Sequence, residues 1–400
     1  MYNIRKVTDD ITWIGASDRR LALFENIFPI SRGVSYNSYI LLDEQTVLFD
    51  TVDASVAGQF FENLEAVLEG RTLDYLIVNH MEPDHCAMIG DIVRRYPDVK
   101  IVGNTKTFGM MNQFFGTDFA DRSIVVKEGD TLSAGKHTLH FVMAPMVHWP
   151  EAMVTYDDVD KVLFSADGFG SFGALNGNIF ADEVDFDRDW LDDARRYYTN
   201  IVGKYGASVQ TLLKKAAGLD IAMICPLHGP VWRENLPYIL EKYQKWSTYE
   251  AEDQAVVIMY ASMYGNTASA ADALAGALAV RSVKKIAVYD VSNTHISELI
   301  SEIFRASHLV FAVPTYNAGI YPVMENLLSD MKALAVQKKT VAVMENGTWA
   351  PTAAKQVKEK LGEMKDMTIL DAGLTIKSAM HAGQKAELDA LADEIVKSMM

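Results

Sequence analysis

After residue 253 the sequence alternates apolar strands with helical segments, a pattern that allows few folds. Ala255–Tyr260 is a continuous apolar run, typical of a strand with both faces covered. The alanine-rich segment 268–278 follows it and predicts a helix. Three further strands, separated by helical segments, are predicted at 285–289, 308–314 and 340–344. This alternation predicts a doubly wound parallel sheet.

The chain before residue 253 shows a different pattern, in which short apolar stretches alternate with turns. It predicts strands at 11–14, 36–42, 46–50, 75–79 and 100–103, hairpin-like structure at 122–143, and helices at 55–70 and 87–96. We interpret this half as a β-sandwich with helices outside. The charged run 250–253 marks the boundary, so domains are expected at 1–253 and 254–400.

Four side chains that can bind a metal lie within six residues where the predicted strand 75–79 ends. They are His80, Glu82, Asp84 and His85. Imidazoles combined with carboxylates suit a transition metal better than calcium, which prefers oxygen ligands alone. A polar, capped turn is the alternative interpretation, but this residue set at this spacing favours a metal site.

Three more candidate ligands follow short apolar strands elsewhere in the same half. His148 follows 141–144, Asp167 follows 161–164 and His228 follows 221–224. One such histidine would usually be an ordinary loop residue. Together with the first cluster, these strand ends predict a metal site that gathers loops from one rim of the sandwich.

Three loops in the second half follow predicted sheet strands, where parallel sheets bind ligands. The first is rich in hydroxyl and backbone N–H groups and lacks a P-loop lysine, which suits a monophosphate. The other two each carry an aromatic residue that could stack on a flat ring. The alternative for the first loop is a capped helix start. Together they predict FMN bound by Ser262, Met263, Tyr264, Gly265, Asn266, Thr267, Pro314, Thr315, Tyr316, Asn317, Ala318, Gly319, Asn346, Gly347, Thr348 and Trp349.

Composition excludes several classes of protein. The net charge is −16 and no Lys/Arg cluster offsets it, which argues against nucleic acid as a partner. The two cysteines, Cys86 and Cys225, are too few for rubredoxin-type iron, an iron–sulfur cluster or thiolate-bound zinc. No apolar run approaches the roughly 20 residues that cross a bilayer, and no signal peptide is visible. We therefore expect a cytoplasmic protein without membrane attachment.

The motif His-x-Glu-x-Asp-His, together with the segment 146–150, the pair 197–198 and the flavin loops, resembles the flavodiiron, or A-type flavoprotein, family. The resemblance covers essentially the whole chain. It implies an α/β protein with an N-terminal metallo-β-lactamase-like αβ/βα sandwich and a C-terminal flavodoxin-like sheet. Lactamase-like hydrolases have His-x-His-x-Asp-His, so Glu82 stands in place of a histidine, and a hard carboxylate there favours iron over zinc.

The resemblance also implies how two non-haem irons would be held. His80, Glu82 and His148 would bind one iron, and Asp84, His85 and His228 the other, with Asp167 as the bridge. In some family members the histidine matching His85 is not a ligand, so its role stays open.

Other residues near the site follow from the resemblance as well. Trp149 and either Tyr197 or Tyr198 would line the substrate side, the alternative being ordinary core aromatics. Many members have a histidine in the N-terminal loop where this chain has Phe24-Glu25-Asn26, which leaves the role of that loop open.

The implied activity is reduction of O2 to water, of NO to N2O, or of both, with electrons delivered through FMN. Rubredoxin or a flavin/rubredoxin reductase would donate the electrons, and a head-to-tail homodimer or a dimer of dimers would bring FMN to the irons. The alternatives are a dinuclear metal hydrolase with a flavodoxin appendage, or a non-catalytic electron carrier or gas sensor.

Overall fold

The computed structural model describes residues 1–400, which divide into two compact units. The first unit comprises Met1–Tyr198 and Tyr205–Tyr243, and the second comprises Thr199–Lys204 and Gln244–Met400. The boundary expected near residue 253 stays a prediction. No helix combines the length and the apolar character needed to cross a membrane.

The first part of the chain contains sixteen strands and eight α-helices. The strands are β1 (Arg5–Lys6), β2 (Ile11–Trp13), β3 (Ala16–Asp18), β4 (Leu23–Phe24), β5 (Phe28–Pro29), β6 (Val34–Tyr36), β7 (Tyr39–Leu42), β8 (Thr46–Phe49), β9 (Tyr75–Ile77), β10 (Lys100–Gly103), β11 (Ser123–Val125), β12 (Thr131–Ser133), β13 (Thr138–Met143), β14 (Met153–Asp157), β15 (Val162–Phe164) and β16 (Met223–Cys225). The helices are α1 (Ala57–Leu68), α2 (Pro83–Cys86), α3 (Ile89–Arg95), α4 (Thr105–Phe115), α5 (Phe186–Asp189), α6 (Leu191–Tyr197), α7 (Gly206–Ala216) and α8 (Leu236–Ser247).

These strands form two main sheets whose inner faces share one apolar core. The larger sheet has the order β1-β2-β7-β8-β9-β10-β11, and the smaller has the order β12-β13-β14-β15-β16. Phe49 of the larger sheet stacks on Phe164 of the smaller sheet, with 3.7 Å between ring centroids. Tyr39 packs edge-on against Phe164 at 5.5 Å. Apolar side chains from both sheets belong to the same buried cluster, so the predicted sandwich is confirmed.

The second unit is built on strands β17 (Asp253–Tyr260), β18 (Ile286–Asp290), β19 (Ala306–Tyr316), β20 (Gly319–Ile320), β21 (Thr340–Asn346) and β22 (Thr368–Ile376). Its helices are α9 (Asn266–Val280), α10 (Ile296–Arg305), α11 (Pro322–Ala333), α12 (Ala353–Gly362) and α13 (Lys385–Ser398). The strand order is β18-β17-β19-β21-β22, with every neighbouring pair parallel. Counted from β17, this is the 2-1-3-4-5 order of flavodoxin-like folds, so the predicted doubly wound sheet is confirmed.

Helix α9 shows how the sequence forms this unit. Ala270, Ala271, Leu274 and Leu278 are fully buried and recur at helical spacing along one face. They pack in the same apolar cluster as Val256 and Ile258 of β17. Alanine at two of these positions lets the helix backbone approach the sheet closely.

Three local expectations differ from the structure. The strand expected over 36–42 is interrupted at Asn37 and Ser38, which separate β6 from β7. Their side chains donate hydrogen bonds to carbonyl oxygens of other segments. The second half of the metal motif forms the helical turn α2 rather than a loop, because Pro83 has a φ suited to the first helical position. The edge strand β22 lacks a continuous apolar run and was not predicted.

A buried lysine adds a pH-dependent element to the second unit. Lys339 is 2% exposed, and its Nζ donates hydrogen bonds of 2.9 Å to the carbonyl oxygens of Phe304 and Ala306 at the end of α10. Burial lowers the pKa of Lys339 from 10.5 to about 7, while Glu252 acts weakly in the opposite direction.

We expect Lys339→Met to remove part of the pH dependence of stability. Between the folded pKa near 7 and the unfolded value of 10.5, the unfolded chain binds more protons, so stability rises with pH. The free energy of unfolding of the wild type should rise by roughly 2 kcal/mol from about pH 7 to about pH 9 through this group. Urea unfolding of the second unit across this range checks it, with the exposed Lys355→Met as control. An unchanged slope in Lys339→Met would contradict this account.

Candidate metal centre and cofactor pocket

The metal motif lies where β9 ends, and a buried hydrogen-bond network holds its backbone in place. Asp50, directly after the neighbouring strand β8, accepts hydrogen bonds from the main-chain N–H of Asn79 (2.7 Å) and of His80 (3.2 Å). Its second oxygen accepts from the Asn79 amide at 2.8 Å. Thr155 donates to Asn79 Oδ1 at 2.7 Å. These contacts fix the direction in which the motif leaves the sheet.

The first group of candidate ligands converges on one point. Glu82 Oε2 lies 3.3 Å from His80 Nε2 and 3.0 Å from His148 Nε2. Asp167 Oδ2 lies 3.2 Å from His80 Nε2 and 3.0 Å from His148 Nε2. His148 follows β13 and Asp167 follows β15, so two loops of the smaller sheet meet the motif of the larger sheet here.

The second group converges beside the first. His85 Nε2 and His228 Nε2 are 3.0 Å apart, and each lies 3.3 Å from Asp84 Oδ2. Asp167 Oδ1 lies 3.2 Å from His85 Nε2 and 3.8 Å from His228 Nε2. The two oxygens of Asp167 therefore face different groups of imidazoles.

This geometry fits a pair of metal ions. Two ligand atoms each about 2.1 Å from an ion and at right angles are about 3.0 Å apart, which matches these spacings. Both oxygens of Asp84 and the Oδ1 atom of Asp167 are buried without a hydrogen-bond partner. Leaving such groups unsatisfied costs roughly 1–3 kcal/mol each. Metal coordination would satisfy them, so the donor set suits two cations bridged by one carboxylate.

The electrostatics of the centre show how strongly its charges interact. Burial alone would raise the pKa of Asp167, but His80, His85 and His148 hold it well below its usual range. Burial opposes the charged form of His148, yet hydrogen bonds with Asp167 and Glu82 raise its pKa to about 9. Without metal, protonated imidazoles therefore balance the carboxylates.

The remaining predicted residues occupy different surroundings. The Trp149 ring packs edge-on against His80, with 5.4 Å between centroids. Tyr197 is fully buried, its ring centroid lies 5.4 Å from that of His228, and its hydroxyl has no hydrogen-bond partner. Tyr198 packs against Tyr243 instead, at 5.0 Å. The roles suggested for these three aromatics stay predictions.

The N-terminal loop brings a carboxyl group to the same centre. Burial and the neighbouring Glu82 carboxylate raise the pKa of Glu25 to about 8. Glu25 and Asn26 both have positive φ, of 49° and 56°, and Asn tolerates this region better than most residues.

Several groups that contact the outer nitrogens of the candidate ligands were not predicted from the sequence. Glu151 Oε1 lies 2.8 Å from His80 Nδ1, and the Ser35 carbonyl oxygen lies 2.7 Å from His228 Nδ1. The only available hint for Glu151 was its position three residues after His148. Nothing local could have indicated a main-chain carbonyl 193 residues from its histidine.

The second unit contains a cavity of about 610 Å³ at the C-terminal ends of β17, β19 and β21. All the residues predicted to bind FMN line it except Gly265 and Gly319, and Ala350 and Ser378 join them. Ser378 was missed because it lies far along the chain. Its main-chain N–H donates to Asn346 Oδ1 at 3.1 Å, and its hydroxyl donates to Thr348 at 3.1 Å.

The cavity offers separate places for a phosphate and a flat ring. Helix α9 begins after Gly265 with no side-chain cap, so the N–H groups of its first turn are available to an anion. Tyr264 and Trp349 are each 91% exposed, and Tyr316 is 42% exposed. Exposed aromatic faces beside a cavity suit stacking on a planar ring. These features fit FMN.

Comparison with known proteins agrees with this architecture. Residues 34–229 match the family model described as ODP family beta lactamase, and residues 258–394 match the flavodoxin model. The anaerobic nitric oxide reductase flavorubredoxin of Salmonella typhi is 32% identical over 390 residues, covering 96% of this chain and 79% of that protein.

Two solved structures are similar over nearly the whole chain. Rubredoxin oxygen:oxidoreductase from Desulfovibrio gigas has a TM-score of 0.91 at 29% identity, covering 99% of this chain and 98% of that chain. A variant of the flavo di-iron protein of Thermotoga maritima has a TM-score of 0.91 at 27% identity, with the same coverage.

We expect Asp50→Ala to weaken both metal binding and stability. It leaves two main-chain N–H groups and the Asn79 amide without their acceptor, at a cost of roughly 3 kcal/mol in unfolding free energy. Metal content and urea unfolding check this. Asp74→Ala is the control, because Asp74 accepts one main-chain N–H, from Thr46, at the opposite end of β8. Equal effects of both variants on metal content would contradict the assigned role of Asp50.

Proposed function

The chain belongs to the flavodiiron protein family, and from this premise we propose that it reduces O2 to water, NO to N2O, or both, as a scavenging enzyme. It is an oxidoreductase, and we assign it FMN and two non-haem irons as cofactors. The observation that carries this proposal is the Asp167 carboxylate, whose two oxygens face two separate groups of imidazoles.

Each group of side chains has a distinct part in binding the metals. His80, Glu82 and His148 would hold one iron, and Asp84, His85 and His228 the other, with Asp167 between them. The convergence of His85 Nε2 on Asp84, His228 and Asp167 supports its inclusion. Glu82 supports iron over zinc, and a flavin pocket has no use in hydrolysis, so a hydrolase is the weaker candidate.

When bound, a diferrous pair would supply two electrons and Lewis-acid binding of O2 or NO, and reduced FMN would supply two more electrons. Reduction of O2 to two waters consumes four electrons and four protons. Reduction of two NO to N2O and water consumes two of each. Trp149 and the buried Tyr197 would line the substrate side of the metal centre and exclude water. The Tyr197 hydroxyl, which lacks a partner within the protein, is suited to donate a hydrogen bond to a small ligand.

The loops of the second unit would bind FMN. The first turn of α9 would receive the phosphate, with Ser262, Asn266 and Thr267 nearby, while Tyr316 and Trp349 would contact the ring. Two cysteines cannot form a rubredoxin centre within this chain, so rubredoxin or a flavin/rubredoxin reductase would deliver the electrons. A head-to-tail homodimer would bring the FMN of one copy to the irons of another. Tyr264 and Trp349 at the mouth of the cavity are exposed in the single chain, which supports a second copy packing against this face.

We expect Glu82→Ala to abolish gas reduction while the flavin spectrum stays unchanged. Residues that only orient metal ligands typically change activity by about 10- to 100-fold when mutated. Glu82 is itself a proposed ligand, so we expect its loss to lower turnover by roughly 100-fold or more. Anaerobic reduction followed by parallel O2 and NO consumption, with iron and FMN quantified on the same samples, checks this. The surface variant Glu65→Ala should behave like the wild type. Retained turnover in Glu82→Ala, or a wild-type protein that carries zinc and hydrolyses thioesters or lactams, would refute the proposal.

We expect Gly347→Ala to weaken FMN binding. A Cβ atom at Gly347 would lie 2.6 Å from Pro351 Cα and 2.8 Å from Pro351 N, so the loop must shift. Overpacking of this kind costs roughly 1–3 kcal/mol, which corresponds to a loss of roughly 5- to 150-fold in affinity. Flavin titration of the apoprotein measures it. Gly362→Ala is the matched control, because nothing lies within 4 Å of its added Cβ. Native FMN affinity in Gly347→Ala would argue against this pocket.

A further inference from the structure

The imidazole of His80 differs from those of the second ligand group in the partner of its outer nitrogen. His80 Nδ1 lies 2.8 Å from Glu151 Oε1. The Glu151 side chain is fully buried, and the same oxygen accepts the main-chain N–H of Met81 at 2.8 Å. The second oxygen, Oε2, is buried without a hydrogen-bond partner. The hydrogen bonds of this carboxylate are therefore made only with the His80 imidazole and with the main chain of the metal motif.

The position of Glu151 is itself well fixed. Its carbonyl oxygen accepts a hydrogen bond of 2.6 Å from the Asn104 amide, which also caps helix α4. The carbonyl oxygen of the preceding Pro150 accepts one of 3.2 Å from Lys106 Nζ. These contacts hold the main chain from which the Glu151 carboxylate reaches His80.

The second ligand group has no equivalent carboxylate. His228 Nδ1 donates to the neutral carbonyl oxygen of Ser35 at 2.7 Å. His85 Nδ1 is buried without a partner. In the first group an imidazole Nδ1 is thus paired with a carboxylate. In the second group one Nδ1 is paired with a carbonyl oxygen and the other has no partner.

This difference has a direct electronic consequence. A carboxylate that accepts from Nδ1–H fixes the tautomer in which Nε2 faces the metal, and it makes that nitrogen a stronger donor. In a buried site of low effective dielectric the extra negative charge is poorly screened. Stronger donation and added negative charge both stabilise the higher oxidation state of a bound metal.

We propose that Glu151 is a positioning residue that makes the two iron positions unequal, so that the position with His80, Glu82 and His148 binds its metal more tightly and loses the first electron. This inference rests on the proposed function. The step is a one-electron oxidation of the diferrous centre, in which an added redox mediator takes the electron. The position with Asp84, His85 and His228 keeps its ferrous state at that stage.

The chain offers a matched control for the loss of a buried carboxylate–imidazole pair. Asp157 Oδ1 lies 2.9 Å from His137 Nδ1, and both side chains are fully buried. Asp157 also accepts main-chain N–H groups, from Val159 and Asp160. Asp157→Asn therefore makes the same chemical change as Glu151→Gln in the same unit, at a pair that includes no proposed iron ligand.

The test uses the full chain loaded with FMN and ⁵⁷Fe, as wild type, Glu151→Gln, Glu151→Asp and Asp157→Asn. Glu151→Gln keeps an acceptor for His80 and Met81 but removes the charge. Removal of iron by a ferrous chelator should be biphasic in the wild type, and Glu151→Gln should accelerate the slow phase by about 10- to 100-fold. Mössbauer spectra of the one-electron-oxidised centre should show one localised ferric site in the wild type and a more even distribution in Glu151→Gln.

Glu151→Asp, which restores the charge, should recover most of the slow phase, and Asp157→Asn should leave both measurements unchanged. Unchanged chelation and spectra in Glu151→Gln would overturn the inference while leaving the proposed function intact. Equal effects in Asp157→Asn would also overturn it, since they would reflect general destabilisation. A wild-type protein that holds no iron pair would refute the proposed function, and this inference with it.

Discussion

The buried carboxylate of Asp167 is the constraint on which the metal centre depends. Each of its oxygens faces a different pair of imidazoles, and its side chain is 1% exposed. An acidic group in this position is stable only if positive charge lies on both sides of it. Protons on the histidines or two divalent cations can supply that charge. Metal binding and the stability of the sandwich rim are therefore coupled.

The candidate ligands are held by different means, and this matters for their chemistry. Asp50 holds the backbone of the motif, Glu151 orients His80, and a main-chain carbonyl orients His228. Each support comes from a separate part of the chain; two are carboxylates and the third is a neutral main-chain carbonyl. Two metal positions that share one bridging residue can thus differ in affinity and in redox behaviour, because their surroundings differ more than their direct ligands do.

Both units place their chemistry where strands end. In the first unit, loops after β9, β13, β15 and β16 provide the candidate ligands, while the sheets themselves form the apolar core. In the second unit, the loops after β17, β19 and β21 surround the cavity, and α9 begins there without a side-chain cap. Inside a packed sheet, polar backbone groups must be hydrogen-bonded to neighbouring strands. Where the strands end these groups are available to ligands, so a rigid scaffold can hold reactive groups at its edge.

The sequence by itself determined the strand–helix alternation, the two fold classes and the candidate ligands, because periodicity and residue chemistry are local properties. It also identified the cavity loops, since each directly follows an apolar strand. It did not reveal Glu151, Asp50 or Ser378, and it missed the edge strand β22, whose burial alternates irregularly. Only the tertiary structure decided which oxygen of Asp167 faces which histidine and which histidine has a carboxylate behind it. Those relations join residues far apart in the chain, and they exist only after the two sheets have packed.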